Sequence, residues 1–113
     1  MATHEIPQEQ WESFFSVFSE RRSGAMVTVE LADPQKGPRK AETNQPLTGI
    51  VLDDAGSVVV SFGGGAASRT IPEPKAVYHK SAAGLMSDEV NHDEIIEITS
   101  AGDPPITQLH FSG

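Results

Sequence analysis

The segment WESFFSVF, residues 11–18, holds four of the chain's seven aromatic side chains within eight positions. At 3.6 residues per turn these four fall on one side of a helix, while glutamate and serine occupy the other side. The aromatic positions are Trp11, Phe14, Phe15 and Phe18. Because aromatic side chains bury large areas, we predict an amphipathic helix that supplies much of the core.

Residues on either side of the segment mark the ends of this helix. Pro7 suits the first helical turn, where its missing N–H costs no hydrogen bond. Arg21 and Arg22 place cations near the negative end of the helix dipole, and Gly24 can adopt the left-handed conformation that ends many helices. The pattern predicts a helix over about residues 7–22 and disorder over residues 1–6.

Length and composition limit the class of protein. With 113 residues and no break in composition, we expect a single domain over residues 1–113 with its own hydrophobic core. The absence of cysteine excludes disulfides, thiolate-bound zinc and iron–sulfur clusters. No apolar run approaches the roughly 20 residues that span a bilayer, and the N-terminus lacks the pattern of a signal peptide. We therefore expect a cytoplasmic protein with no membrane partner.

The charge is strongly negative and unevenly distributed. Eight basic and sixteen acidic residues give a net charge of −8, which opposes binding to phosphate backbones, so no nucleic acid partner is expected. Lys36, Arg39 and Lys40 form a basic cluster, whereas residues 81–113 contain no lysine or arginine. A solvated acidic face that maintains solubility is a simpler explanation of this asymmetry than the orientation of a partner.

Alternation of apolar and polar residues predicts a series of short strands. They cover residues 25–31, 47–52, 57–62, 76–80, 94–99 and 106–111. The second and third form a hairpin across a turn whose Gly56 can adopt positive φ. The last two form another hairpin, in which Leu109 and Phe111 face inward and His110 faces outward.

The segments between these strands lack a regular pattern. Residues 32–46 and 81–93 are predicted to be long irregular stretches, and residues 63–67, GGGAA, a flexible connection. The prolines of residues 70–75 favour an extended edge segment. The glycine run is not followed by the lysine of a phosphate-binding loop, so a linker is favoured over nucleotide binding.

These elements predict an α+β fold. No helix lies between strands to form a parallel crossover, and hairpins dominate. We expect the N-terminal amphipathic helix to pack on a five- to six-stranded, strongly bent antiparallel sheet or small barrel, because a small sheet must curl to hide its apolar face and its edges.

Two resemblances bear on this prediction. VTVEL at residues 27–31 and LTGIVLDD at residues 47–54 resemble the strand-and-turn pattern of Sm-like proteins, small SH3-like barrels that also begin with a helix. EIPQEQWESFFSVFS at residues 5–19, TIPEP at residues 70–74 and IEITSAG at residues 96–102 together resemble an uncharacterised bacterial family of short acidic domains. This second resemblance spans nearly the whole chain and implies no catalytic residues.

An acidic stretch around one histidine is the strongest candidate for a metal site. Its candidate ligands are Asp88, Glu89, His92 and Asp93. Glu89 and His92 would share a face if the segment were helical, and hard divalent cations prefer carboxylate oxygens. The spacing matches neither an EF-hand nor the H-E-x-x-H motif, and a solvated acidic loop is the simpler interpretation.

Evidence for catalysis in the sequence is weak. His79 and His110 could pair across the sheet for acid–base chemistry, with Tyr78 or Ser81 nearby, but no G-x-S-x-G nucleophile motif is present. No catalytic residue and no cofactor are therefore assigned, and a structural or surface role for each histidine is favoured.

Three functional hypotheses follow. The first is a non-catalytic module that binds a protein partner, or itself, through a sheet edge or an apolar rim beside the helix. The second is a metal- or small-ligand-binding sensor or enzyme that uses the acidic loop around His92. The third is an Sm-like RNA binder, which the excess of acidic residues disfavours.

Overall fold

The computed structural model describes residues 2–33, 37, 39–65, 67–81, 94–101 and 105–111. One helix, α1, is accompanied by eight strands and two short 3₁₀ turns. In chain order the elements are β1 (Ala2–Ile6), a 3₁₀ turn (Gln8–Gln10), α1 (Trp11–Arg21), β2 (Met26–Ala32), β3 (Arg39–Leu52), β4 (Val58–Phe62), a 3₁₀ turn (Gly63–Gly65), β5 (Ala67–Ile71), β6 (Pro74–Ser81), β7 (Glu94–Ser100) and β8 (Ile106–Phe111).

The strands form one antiparallel sheet in the order β1-β6-β7-β8-β2-β3-β4-β5. The predicted α+β class, with an N-terminal helix on an antiparallel sheet, is therefore confirmed. The predicted count of five to six strands is too low. In the described part of the chain the two end strands, β1 and β5, each pair with one neighbour, so the sheet is open and the alternative of a closed barrel is wrong.

Chain connectivity forces the open sheet to curl. β5 is the last strand in the order and β6 is the second, yet only Pro72 and Glu73 separate them in sequence. Three Cα steps span at most about 11 Å, whereas six interstrand spacings in a flat sheet would span about 29 Å. The two ends of the sheet must therefore approach each other around a concave face.

Helix α1 occupies this concave face and carries the aromatic core. Trp11, Phe15 and Phe18 are buried, and the Phe18 ring contacts the Phe111 ring of β8 with 5.0 Å between centroids. The indole nitrogen of Trp11 donates a 2.8 Å hydrogen bond to the carbonyl of Ile6, which ties the start of the helix to β1. The predicted aromatic helix is confirmed. No helix of the described residues is long and apolar enough to cross a membrane.

The predicted turns and hairpins also hold. β3 pairs with β4 through Leu52↔Val58, and β7 pairs with β8 through Glu94↔Phe111. Gly24 and Gly56 adopt the expected positive φ, at 82° and 84°. Leu109 and Phe111 are buried as predicted.

Two predictions of irregular structure were wrong, each where pairing with a distant segment forms a strand. Residues 2–6, predicted to be disordered, form β1 against β6. Much of the predicted loop at residues 32–46 is the first half of β3, which pairs with β2. The glycine run connects β4 to β5, as predicted, in a tight turn whose three glycines adopt positive φ and in which the N–H of Gly64 donates to Thr48 Oγ1 at 2.8 Å.

Thr107 is a polar exception in the core. Its side chain on β8 is 1% exposed, and Oγ1 has no hydrogen-bond partner among the described residues. A buried hydroxyl without a partner loses its hydration with no compensating bond. The position therefore costs stability that an apolar side chain of the same shape would not.

Replacement of Phe15 by alanine tests the core assignment. Because Phe15 is 1% exposed, we expect Phe15→Ala to lower the free energy of unfolding by about 3 to 5 kcal/mol. Val17→Ala on the exposed side of α1, where Val17 is 64% exposed, is the control and should change it by less than about 0.5 kcal/mol. Urea unfolding followed by tryptophan fluorescence measures both, and equal stability of the two variants would contradict the assignment.

Thr107→Val tests the buried hydroxyl. Removal of the unpaired oxygen with nearly unchanged shape should raise the free energy of unfolding by about 1 kcal/mol. Thr70→Val, at an exposed position of β5, serves as the control for the threonine-to-valine change. A loss of stability in Thr107→Val by urea unfolding would show that the hydroxyl has a partner.

Candidate functional site

A buried carboxylate joins the end of the helix to the sheet. Glu94, the first residue of β7, is 2% exposed. Arg21 donates to both of its oxygens, from Nη1 to Oε1 at 2.7 Å and from Nη2 to Oε2 at 2.9 Å. Arg22 donates from Nε to Oε1 at 2.8 Å, and His79 Nε2 lies 2.5 Å from Oε2. We call these four residues the Glu94 cluster.

Aromatic rings enclose the cluster. The His79 ring lies edge-on to Phe14 and Phe18, with centroids 5.8 and 6.1 Å away. The guanidinium carbon of Arg21 lies 5.0 Å from the centre of the Phe18 ring, a cation–π distance. The amphipathic helix therefore delivers its aromatic face and its C-terminal cations to the same region of the sheet.

Opposing effects set the charge state of Glu94. Burial raises the pKa of its carboxyl, but the hydrogen bonds from Arg21, His79 and Arg22 outweigh burial and lower the pKa from 4.5 to about 2. The hydrogen bond to Glu94 correspondingly raises the pKa of Arg21, against its own partial burial. Since Glu94 stays ionised and both oxygens are engaged, the cluster acts as an ionic clamp and not as a general acid.

A second carboxylate on β7 lies on the opposite face of the sheet. Glu97 accepts hydrogen bonds from Gln108 Nε2 at 2.7 Å and from Lys80 Nζ at 3.1 Å. Burial raises the pKa of Glu97, but these two hydrogen bonds prevail and hold it below its ordinary value. His110 Nε2 lies 3.1 Å from Gln108 Oε1 and extends this polar row to four side chains on β6, β7 and β8.

A groove of about 830 Å³ lies along the contact between helix α1 and the second half of β3. One wall is the helix, the floor is the strand, and the far wall is the turn between β3 and β4. We call it the acidic groove, because the described residues that line it include the carboxylates of Glu12, Glu20, Asp53 and Asp54 and no basic side chain. Its volume falls within the range of ligand and peptide pockets.

The acidic groove exists because β2 ends before β3 does. β2 pairs with β3 as far as Met26↔Pro46, and the N–H of Leu47 then donates to the carbonyl of Ala25. Beyond Leu47, the edge of β3 faces the helix, where Ser19 Oγ accepts from the N–H of Ile50 at 2.8 Å and donates to its carbonyl at 3.2 Å. Ser19 thus supplies the hydrogen bonds that a neighbouring strand would give to Ile50, and the acidic groove lies beside this contact.

The predicted metal ligands Asp88, Glu89, His92 and Asp93 lie outside the described residues, so the metal site remains a prediction. Within the described residues, no group of three or more histidine and carboxylate side chains could hold a metal ion.

The pairing of His79 with His110, which the sequence allowed but did not favour, does not occur. His79 is opposite Ile96 on one edge of β7, while His110 is opposite Ile95 on the other edge, so the strand separates them. Because neighbouring residues of a strand point to opposite faces, the two imidazoles lie on opposite faces of the sheet.

Sequence reasoning missed the Glu94 cluster and the acidic groove. The sequence assigns Arg21 and Arg22 only to the end of the helix, and Glu94 to the start of the strand predicted over residues 94–99. Seventy-three residues separate Arg21 from Glu94, and no local pattern connects them. The one available signal was Glu94 itself, which occupies an inward position in the alternation of EIIEIT, where a carboxylate needs a partner.

Comparison with known proteins identifies relatives whose function is not described. A family model described as "Family of unknown function (DUF5335)" matches residues 2–103. An "Uncharacterized protein" of Aquifex aeolicus (strain VF5) is 30% identical over 87 residues, which cover 77% of this chain and 78% of that protein. No solved structure matches the chain, so the Sm-like resemblance has no support from that comparison.

The Glu94 cluster predicts an acid-sensitive fold. The lowered pKa of Glu94 contributes about 3 kcal/mol that is fully present above pH 4.5 and is lost as the pH falls towards about 2. Glu94→Gln should lower the free energy of unfolding at pH 7 by about 3 to 5 kcal/mol, because it leaves two guanidinium groups without their anion.

Urea unfolding at pH 7, 4 and 3 measures this effect, with Glu9→Gln at an exposed position as the control. The difference between wild type and Glu94→Gln should shrink as the pH falls below 4.5, while the control should follow wild type throughout. A difference that does not depend on pH would contradict the ionic clamp.

Proposed function

The chain belongs to DUF5335, a family of unknown function, and from this premise we propose that it is a non-catalytic protein-interaction module. The observation that supports the proposal is the edge of the sheet at β5, Ala67–Ile71, which has no outer partner strand among the described residues. The proposal includes a single domain that works in the cytoplasm with protein partners and without nucleic acid or membrane, in keeping with the net charge of −8.

The hydrogen-bond pattern defines which backbone groups β5 presents. The N–H of Asp53 donates to the carbonyl of Ser57, so these two residues form a hydrogen-bonded pair. Hydrogen-bonded pairs recur at every second position of an antiparallel ladder, and the next such pair between β3 and β4 is therefore Val51↔Val59. In an antiparallel sheet, alternate residues of β4 then bond to β5, through Val58↔Ile71 and Val60↔Arg69.

The remaining β5 residues, Ser68 and Thr70, direct their N–H and C=O groups away from the sheet. Both side chains are exposed. An extended segment of a partner can add to such an edge as a further strand.

β5 lacks several features that natural proteins use to protect edges. Ala67–Ile71 contains no proline, and its pairing with β4 is continuous without a bulge. Arg69 is its one charged residue, and its backbone faces β4. Main-chain pairing at this edge would supply affinity, and the exposed side chains would supply selectivity.

The ion-paired carboxylates support a binding role over a catalytic one. Glu94 and Glu97 are both held in the ionised form by hydrogen bonds that brace helix and sheet. Such groups stabilise a rigid frame and are poorly suited to proton transfer near neutral pH. A sensor or enzyme that uses the loop around His92 remains the second hypothesis, and no contact of the described residues favours it.

Proline substitutions on β5 test the proposal. Thr70→Pro and Ser68→Pro each remove an outward N–H without removing a bond to β4, so binding through this edge should weaken by at least about ten-fold. Thr70→Ala and Ser68→Ala retain the N–H and should bind as wild type does.

Light scattering over a range of protein concentrations measures self-association, and affinity capture from native lysate followed by titration of each captured protein measures hetero-association. Circular dichroism confirms that each variant is folded. Association that is equal in the proline and alanine variants, or no association at all, would overturn the proposal.

A further inference from the structure

We propose that the acidic groove between α1 and β3 binds an extended lysine- or arginine-rich segment of another protein. This inference rests on the proposed function, since it assumes a binding module, but it assigns a second surface that is separate from the β5 edge. Three properties of the groove support the proposal: its length, the apolar and backbone groups that β3 presents in it, and its negative charge.

The helical wall of the groove is a polar row that is inclined to the helix axis. Glu12, Ser16 and Glu20 are four residues apart, so they lie one above another on one side of α1, and all three are exposed. At 1.5 Å per residue the row is about 12 Å long. An extended chain covers about 3.3 Å per residue, so the trough accommodates roughly three to four residues.

The floor offers apolar contact and an open backbone position. Val51 and Leu52 both line the groove, with side chains on opposite faces of β3: Val51 is 56% exposed and Leu52 is half-buried. Leu52 is next to the bonded pair Val51↔Val59, so its own N–H and C=O point away from β4 and towards the trough. Methylene groups of long basic side chains could pack on this floor while their charged ends reach the walls.

The charges of the groove complement a cation and not an anion. Glu12 and Glu20 line one wall, and Asp53 and Asp54 line the other. None of these four carboxylates forms an ion pair within the described part of the chain, in contrast to Glu94 and Glu97. Asp53 Oδ1 accepts hydrogen bonds from the N–H groups of Ala55 and Ser57, which hold the carboxylate at the turn without neutralising its charge. A linear segment that carries several positive charges would satisfy carboxylates on both walls.

The distribution of these carboxylates distinguishes a peptide from other occupants. Three or more of them do not converge on one point within the described residues, so a single metal ion is a poor match. A second copy of the chain carries a net charge of −8 and is repelled at long range, whereas a basic partner is attracted. A basic segment of a different protein is therefore the occupant to which the proposal commits.

Peptide binding tests the inference directly. The probe is a fluorescein-labelled octapeptide of alternating lysine and valine with blocked ends, measured by fluorescence anisotropy at 50 mM salt. We expect saturable binding that weakens as salt is raised to 200 mM, because the contacts are between exposed charges. The same peptide with glutamate in place of lysine should not bind.

A charge-matched pair of helix variants locates the site. Ser16→Arg places a cation between Glu12 and Glu20, fills the trough and should weaken peptide binding by at least about ten-fold. Ser13→Arg adds the same charge at an exposed helix position that does not line the groove, and should change binding by less than about two-fold. Circular dichroism confirms that both variants retain the fold.

A second pair removes charge without adding bulk. Glu12→Gln with Glu20→Gln should weaken binding more than Glu5→Gln with Glu73→Gln, although both pairs change the net charge from −8 to −6. Absence of peptide binding up to about 1 mM, or equal losses in the groove and control variants, would overturn the inference.

The β5 variants separate the two proposals. Thr70→Pro should bind the basic peptide as wild type does, because Thr70 does not line the groove. Loss of peptide binding in Thr70→Pro but not in Ser16→Arg would overturn the groove assignment and leave the interaction module in place. If wild type shows neither self-association nor binding to a captured protein in the β5 experiments but still binds the basic peptide, the proposal for the β5 edge is overturned. The proposal for the acidic groove then stands.

Discussion

The ionic clamp at Glu94 is the interaction on which the arrangement of helix and sheet depends. A carboxylate that is 2% exposed is unfavourable unless its charge is fully compensated. The charge is compensated by two guanidinium groups at the end of the helix and by one imidazole from β6. Both guanidinium groups reach the carboxylate only when α1 lies in one orientation on the sheet. The aromatic face of the helix supplies the burial free energy, and the clamp specifies its orientation.

This fixed helix determines where the two surfaces of our binding proposals lie. The sheet curls because two residues connect β5 to β6, and α1 fills the concave side. The helix contacts the edge of β3 through Ser19 and leaves a trough beside that contact. At the far end of the sheet, β5 keeps an edge without a partner strand among the described residues. Both surfaces therefore belong to a braced frame, a condition that favours specific recognition.

The acidic residues fall into two physical groups. Glu94 and Glu97 lie on opposite faces of β7, and hydrogen bonds from neighbouring strands and from the helix hold the pKa of each below its ordinary value. The carboxylates of the acidic groove are exposed and form no ion pair within the described residues. The first group stabilises the fold through ion pairs and hydrogen bonds, whereas in the second group Asp53 accepts hydrogen bonds from the N–H groups of Ala55 and Ser57 that form the turn.

By itself, the sequence determined the elements whose signals are local: the aromatic helix, the hairpin at Gly56 and the inward positions of Leu109 and Phe111. Their periodicity and turn residues act within a few positions of each other. Only the tertiary structure decided that residues 2–6 form an edge strand, that the first half of β3 pairs with β2, and that Glu94 meets Arg21 across seventy-three residues. Strand pairing and buried ion pairs depend on partners that are distant in sequence, and local composition does not encode which partner is chosen.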